Sequence, residues 1–145
     1  TDRPEHTYIA GASMGGYGAL VHAMKDTEQY RAVGAFSPAT VWAKDLEEKV
    51  GHKFPEPMDL YQIIRDDVDA GKKLPDIFFC VGNNDFLIES VDRFEEYLNE
   101  LKIDHRFDRV DGYEHEWRFW ELELPEFLDW LPRTDSYAKM GKHKM

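Results

Sequence analysis

Cysteine is almost absent from this chain of 145 residues, which contains a single one, Cys80. One cysteine cannot form an intrachain disulfide or a cysteine metal cluster, so the sequence excludes both kinds of cross-link. Cys80 lies in the apolar run Ile77-Phe78-Phe79-Cys80-Val81, which predicts a buried structural thiol. A lone unpaired cysteine also favours a cytoplasmic location.

Long apolar runs and basic side chains are scarce as well. No apolar run approaches the length of a membrane-spanning helix. The 18 basic residues are outnumbered by 29 acidic ones, for a formal net charge of -11. Such a chain repels nucleic-acid phosphates and anionic membrane surfaces, so we expect neither kind of partner. The residues that are present, 42% hydrophobic and 14% aromatic, are typical of one globular domain.

Ser13 is a candidate nucleophile near the start of the chain. It stands in Gly11-Ala12-Ser13-Met14-Gly15, which follows a short apolar run and matches the G-x-S-x-G pattern of a nucleophile elbow. A serine on a sharp strand-to-helix turn needs neighbours without bulk, and the two glycines meet that need. The helix expected next would point its first amides at the serine, which makes the backbone N–H of Met14 a candidate oxyanion donor. Small residues also surround serines in turns that have no catalytic role. The catalytic hypothesis therefore requires a base and an acid elsewhere in the chain.

The order of apolar segments predicts alternating strands and helices. We expect strands over 7–10, 32–36, 76–82 and 103–110, and helices over 16–25, over 59–65, after a cap at Ser90, and from Trp117 onward with a break or kink at Pro125. This rhythm predicts an α/β fold with a mostly parallel sheet and helices on its faces. Residues 1–132 form the folded unit, 41–73 are expected to make a lid or pocket wall, and 133–145 a basic, disordered tail.

A base and an acid follow two later strands of the predicted sheet. A serine hydrolase needs a histidine to accept the hydroxyl proton and a carboxylate to orient that histidine. On an open parallel sheet these groups belong in loops at the carboxyl ends of strands, where Asp85 and His115 stand. The chain order serine, aspartate, histidine is that of the α/β-hydrolase fold.

Other residues compete for these roles. His105 also follows Asp85, but its position within the last predicted strand is explained by packing. Glu89 and Asp92 stand at a helix start, where the helix dipole already favours carboxylates. The histidines and carboxylates are not at metal-ligand spacings such as H-E-x-x-H, so we expect no metal and no cofactor.

Three separated motifs resemble the esterase D group of α/β-hydrolases, which includes S-formylglutathione hydrolases, tributyrin and acetyl esterases, and feruloyl esterases. The motifs are residues 11–20, residues 82–87 and the stretch from His115-Glu116-Trp117 to Trp120, and the resemblance extends to about Pro132. It implies a serine carboxylesterase that forms an acyl-serine intermediate, with Ser13 as nucleophile, Asp85 as acid, His115 as base and the Met14 N–H as one oxyanion donor.

The same resemblance implies the carboxyl-terminal half of an α/β-hydrolase fold. The second oxyanion donor would come from a loop after an earlier strand, which this chain lacks. Thr1-Asp2-Arg3-Pro4 leads almost directly into a strand, so we expect that the visible start is not the start of the gene product. The expected partners are a small-molecule ester and the missing amino-terminal half, with a homo-oligomer as a further alternative, and the isolated chain is expected to be weakly active or inactive.

Substrate contacts are predicted from residues near the three loops. They are Ser37 and Trp42 after the second strand, Phe86 and Leu87 beside the acid, and Trp117 beside the base. Aromatic walls suit a short acyl or cinnamoyl group, although helical spacing also explains Trp117 as a core residue. A thioesterase and a serine peptidase on the same fold remain open, as does a non-catalytic binding relative, against which the complete set of three residues argues.

Overall fold

Four parallel strands form a single sheet in the part of the chain that the structure describes. A computed structural model describes residues 2–40, 51 and 59–133. The strands are β1 (Tyr8–Ala12), β2 (Ala32–Phe36), β3 (Asp76–Gly82) and β4 (His105–Val110), and they lie side by side in chain order. All three pairings are parallel. Because every residue of β2 is buried, this strand is apolar throughout instead of alternating with polar residues.

Helices cover both faces of the sheet, as the sequence predicts. They are α1 (Met14–Lys25), α2 (Leu60–Asp69), α3 (Ile88–Glu100) and α4 (Trp117–Trp130). On one face, Val33 and Phe79 pack in a core with buried residues of α1, α2 and α3. On the other face, Phe36, Phe78 and Cys80 pack against Phe119 and Phe127 of α4. Successive side chains of a strand point to opposite faces, which divides the core into these two parts.

The sequence predicts the two central strands at their observed bounds but misplaces several ends. The first strand runs two residues further, to Ala12, and the last begins two residues later, at His105. The predicted cap at Ser90 is wrong, since α3 already begins at Ile88. The Asp85 carboxylate accepts the Leu87 N–H at 2.8 Å and tightens the turn before α3, so the helix starts earlier. Pro125 lies inside α4 without dividing it.

The segment predicted as a lid or pocket wall is described only in part. Its helix, α2, begins after Asp59, whose carboxylate caps the N–H groups of Tyr61 and Gln62. Leu60 and Ile64 of this helix are buried in the same core as α1. Residues 41–50 and 52–58, and 134–145 of the predicted tail, lie outside the described residues. Within the described residues, no helix combines the length and the apolar character needed to cross a bilayer.

Gly11 is required by the close approach of β1 to the first turn of α1. A Cβ atom at Gly11 would lie 2.2 Å from the carbonyl oxygen of Gly15, whereas one at Gly18 has no atom within 4 Å. We expect Gly11→Ala to lower the free energy of unfolding by about 3 kcal/mol or more, because backbone atoms cannot move aside. Gly18→Ala, within α1, is the matched control and is expected to stabilise the helix by up to about 1 kcal/mol. Urea denaturation measures both, and equal stabilities of the two variants would contradict the steric explanation.

Candidate active site

Ser13 stands on the turn between β1 and α1, with its backbone in a strained conformation. Its φ of 58° and ψ of -121° lie where residues with a side chain are rarely found. The Ser13 N–H donates to the Phe36 carbonyl at 2.9 Å, and the Ser13 carbonyl accepts from Gly16 and Ala39 at 3.0 and 3.2 Å. These bonds hold the turn against the end of β2, and they fix the direction in which the hydroxyl points.

A continuous line of hydrogen bonds joins Ser13, His115 and Asp85. Ser13 Oγ lies 2.8 Å from His115 Nε2, although the two residues are 102 positions apart. His115 Nδ1 lies 2.8 Å from Asp85 Oδ2. The Asp85 side chain is fully buried, while a fifth of the His115 side chain (20%) is exposed. The structure therefore brings the three predicted residues together in the order that a nucleophile, a base and an orienting acid require.

Each oxygen of the Asp85 carboxylate has its own hydrogen-bond partner. Asp85 Oδ1 accepts the Leu87 N–H at 2.8 Å, so Oδ2 is left to accept from the imidazole. A carboxylate oxygen only accepts, so the imidazole tautomer that satisfies both contacts donates Nδ1–H to Asp85 and accepts the Ser13 hydroxyl proton at Nε2. Such an arrangement can remove the hydroxyl proton, which is the chemistry that a serine nucleophile requires.

Met14, the predicted oxyanion donor, directly follows Ser13 at the start of α1. Met14 is the first residue of α1, and the first N–H groups of a helix have no acceptor within the helix. These amides and the positive end of the helix dipole favour negative charge beside Ser13. Among the described residues, no group of three or more histidine, cysteine, aspartate or glutamate side chains could hold a metal ion.

Exposed apolar side chains surround the Ser13 and His115 pair. The Phe86 ring lies 5.0 Å from the His115 ring and is 77% exposed. Trp117 is 74% exposed and packs edge-on against Trp120, with 4.8 Å between ring centroids. Met14, next to the serine, is 58% exposed. Large apolar side chains this exposed are typical of a binding surface.

Two of the predicted substrate contacts are buried in the structure. Ser37 is fully buried because its Oγ accepts the Trp120 Nε1–H and faces α4. Leu87 is also buried, in the core that α3 covers. Trp117 is not the core residue that its helical spacing allowed, since it lies on the solvent side of α4. Trp42 lies outside the described residues.

The other candidates for the base and the acid stand in different surroundings. His105 Nδ1 lies 2.8 Å from the Ile103 carbonyl, and its Nε2 contacts the Glu95 carboxylate. Asp92 accepts from Arg109 at 3.1 Å, and Glu89 is exposed in the first turn of α3. None of these three carboxyl or imidazole groups takes part in the line that reaches Ser13.

Two carboxyl groups, the buried Glu123 of α4 and the half-buried Asp108 of β4, form a pair between these elements. Burial raises the pKa of Glu123 to about 8, and the hydrogen bond to Asp108 and its charge add to the effect. Burial would also raise the pKa of Asp108, but hydrogen bonds from Arg106 and Glu123 outweigh it and lower that pKa. Glu123 is therefore protonated at neutral pH. Glu123 was not among the residues predicted from the sequence, although its place between Phe119 and Phe127 on one helical stripe is a signal for a buried carboxyl group.

This pair predicts a loss of stability as the pH rises. Between pH 4.5, the ordinary pKa, and about 8, the folded chain keeps the Glu123 proton that the unfolded chain loses. Stability therefore falls across that window, by at most about 1.4 kcal/mol per pH unit. Glu123→Gln cannot ionise, so its unfolding free energy is expected to fall less between pH 5 and 8. Urea denaturation at both pH values tests this. Glu126→Gln, which removes a more exposed partner of Arg106, is the control, and a slope unchanged by Glu123→Gln would contradict the prediction.

Comparison with known proteins identifies relatives of the chain. A family model described as "Putative esterase" matches residues 1–131. An acetyl esterase of Caldicellulosiruptor saccharolyticus is 26% identical over 151 residues, which cover 91% of this chain and 56% of the esterase. The chain thus spans about half the length of the relatives that it matches.

Solved structures agree in fold. An S-formylglutathione hydrolase of Staphylococcus aureus superimposes with a TM-score of 0.70 at 23% identity, covering 84% of this chain and 49% of the hydrolase. A fluorophosphonate-binding serine hydrolase of the same species gives 0.74 at 22% identity, covering 86% and 53%. The predicted α/β-hydrolase fold is confirmed by these matches.

Proposed function

Because the chain belongs to the esterase family whose model spans residues 1–131, we propose that it carries the catalytic residues of a serine carboxylesterase. The observation that carries the proposal is the line from Ser13 Oγ through His115 to the buried Asp85, with two hydrogen bonds of 2.8 Å. A non-catalytic binding protein has no need of a strained serine, an imidazole in the matching tautomer and a buried carboxylate in contact.

The proposed mechanism follows from the atoms in this line. Ser13 Oγ attacks the ester carbonyl carbon while its proton passes to His115 Nε2. Asp85 stabilises the imidazolium that forms, and the Met14 N–H donates to the carbonyl oxygen as it becomes negative. His115 then gives its proton to the departing alkoxide, which leaves an acyl-serine. Water, deprotonated by the same Nε2, hydrolyses the acyl-serine and regenerates the free Ser13 hydroxyl.

The proposed substrates are esters of short or aromatic acyl groups. Phe86 and Trp117 present exposed rings near His115, and Met14 presents an exposed thioether chain beside Ser13. Apolar groups of a substrate would be removed from water against these side chains. The net charge of -11 disfavours polyanionic substrates.

We also propose that further strands, from an amino-terminal half of the same fold, complete the site. Within the described residues, β1 pairs with β2 alone, so its other edge is open to a strand. On α4, Leu124 and Leu128 lie one turn apart and are 48% and 41% exposed. The chain covers 56% of the acetyl esterase that it resembles. An added α/β layer would cover this surface and supply the second oxyanion donor. Without it, we expect weak activity or none.

A fluorophosphonate probe tests the proposed function. The probe phosphonylates an activated serine, so mass spectrometry of the protein, whole and after digestion, is expected to find one adduct per chain on Ser13. Rates on p-nitrophenyl acetate, an acyl thioester and a peptide p-nitroanilide then separate an esterase from a thioesterase and a peptidase. We expect the oxygen ester to react fastest. An adduct elsewhere than Ser13, or none in protein that includes the amino-terminal half, would reject the proposal.

A further inference from the structure

Trp120 connects the His115 ring to the end of β2. Its indole ring stands perpendicular to the imidazole, with 5.2 Å between the ring centroids. On its other side, its Nε1–H donates to Ser37 Oγ at 2.9 Å. The indole is thus held at one edge by a hydrogen bond while the ring contacts the base. Phe86, the other ring beside His115, is 77% exposed and has no such anchor among its described contacts.

The anchor of this indole is itself firmly placed. Ser37 is fully buried, and its backbone N–H donates to the Cys80 carbonyl at 2.8 Å. Its φ of 47° lies in the left-handed region, which costs a serine about 1–3 kcal/mol. Strain of this kind persists only where the surrounding structure imposes it. Here the strained residue directs its hydroxyl towards Trp120.

These contacts form a closed circuit that includes both Ser13 and His115. Ser37 follows Phe36, whose carbonyl accepts the backbone N–H of Ser13. From Ser13 the circuit continues through Oγ to His115 Nε2. The imidazole contacts the Trp120 indole, and the indole N–H bonds Ser37. The end of β2 therefore holds the nucleophile by its backbone and the base through a tryptophan. This end of β2 thus constrains the positions of both residues, and with them the distance between Ser13 Oγ and His115 Nε2.

We propose that Trp120, anchored by Ser37, is a positioning residue that keeps the His115 imidazole within reach of Ser13. This inference rests on the proposed function for its effect on rate, but the placement of the ring can be observed without turnover. In this proposal Trp120 contacts the imidazole and does not contact the substrate. Its effect is therefore expected on kcat and not on KM.

Three variants test the proposal by kinetics. Ser37→Ala keeps the indole but removes its acceptor, and Trp120→Phe keeps a ring but removes the donor. In protein that includes the amino-terminal half, both are expected to lower kcat on p-nitrophenyl acetate about tenfold, with KM within about twofold. Trp130→Phe is the matched control, because Trp130 lies on the same helix and packs against Phe78 and Phe127 instead of His115. It is expected to lower the melting temperature but to keep kcat within about twofold.

Nuclear magnetic resonance supplies a readout independent of activity. In the unsubstituted protein we expect cross-relaxation between the His115 imidazole and Trp120 indole protons, and slow solvent exchange of the Trp120 indole N–H. Ser37→Ala is expected to weaken this cross-relaxation and to accelerate the solvent exchange of the indole N–H.

Unchanged kcat in Ser37→Ala and Trp120→Phe, or an equal loss in Trp130→Phe, would overturn the positioning role. Should Ser13 fail to react with the fluorophosphonate, the proposed function fails separately. The resonance measurements then decide alone, and an undisturbed contact in Ser37→Ala overturns the inference, whereas its loss supports it.

Discussion

Ser13→Ala, in protein that includes the amino-terminal half, is expected to lower kcat on p-nitrophenyl acetate by about 100,000-fold, to the rate that binding and the remaining oxyanion donors sustain. The alanine has no oxygen to attack the carbonyl carbon, and His115 Nε2, 2.8 Å from Oγ in the native chain, loses its proton donor. No covalent acyl intermediate can form. A burst of nitrophenol followed by steady turnover in the native protein, absent from the variant, would show this directly.

The fold of this variant is expected to persist. Alanine at position 13 meets the same backbone strain as serine, with φ at 58°, so it adds no new cost. The lost side-chain hydrogen bond is worth about 1 kcal/mol. Ser90→Ala is the matched control, since it removes a hydroxyl that bonds the Leu87 carbonyl, and it is expected to keep near-normal turnover. Substantial turnover by a folded Ser13→Ala variant would remove Ser13 from the mechanism.

Asp85→Asn, in protein that includes the amino-terminal half, is expected to lower kcat by about 10,000-fold, because it reverses the tautomer of His115. The Leu87 N–H donates to Oδ1 at 2.8 Å, so the asparagine carbonyl must take that position. Its NH₂ group then faces His115 Nδ1, which must accept instead of donate. The remaining proton moves to Nε2 and points at Ser13 Oγ. The imidazole can no longer take the serine proton, although every heavy atom keeps its place.

Asp92→Asn is the matched control for this substitution. Asp92 stands on α3 and accepts from Arg109, and its place near the start of that helix already explains it without a catalytic role. It is expected to keep kcat within about twofold, as surface carboxylates contribute little. Steady-state kinetics on p-nitrophenyl acetate compares the two variants, with circular dichroism to confirm folding. A larger loss in Asp92→Asn than in Asp85→Asn would reassign the acid.

The elements that were predicted well depend on near neighbours along the chain. Residues 76–82 are apolar almost throughout and follow a proline, which suffices for a buried parallel strand at its observed bounds. The end of a helix is harder, because several residues compete for its cap. Ser90 has the right chemistry, but the buried Asp85 three residues before α3 sets the turn, and nothing local to the sequence shows that Asp85 is buried.

The tryptophans of α4 show the same limit within one helix. Trp117 and Trp120 are both aromatic and three residues apart, so helical spacing places both on the apolar face. The structure exposes Trp117 and directs the Trp120 N–H to Ser37, which the sequence had assigned to substrate. The choice depends on how far α4 is rotated against β2, and that rotation is set by packing of Phe127 against Phe36.

The sequence by itself determined the αβ alternation, the family resemblance, and Ser13, Asp85 and His115 as candidates in their chain order. Each of these depends on residue type and short spacing, which local sterics and burial periodicity control. Only the tertiary structure decided which oxygen of Asp85 meets the imidazole, that Ser37 and Leu87 are buried, and that Trp120 stands against His115. Those contacts join residues that are distant along the chain, across as many as 102 positions. They exist only once the sheet and helices have packed, because hydrogen-bond geometry is set by the relative placement of whole elements.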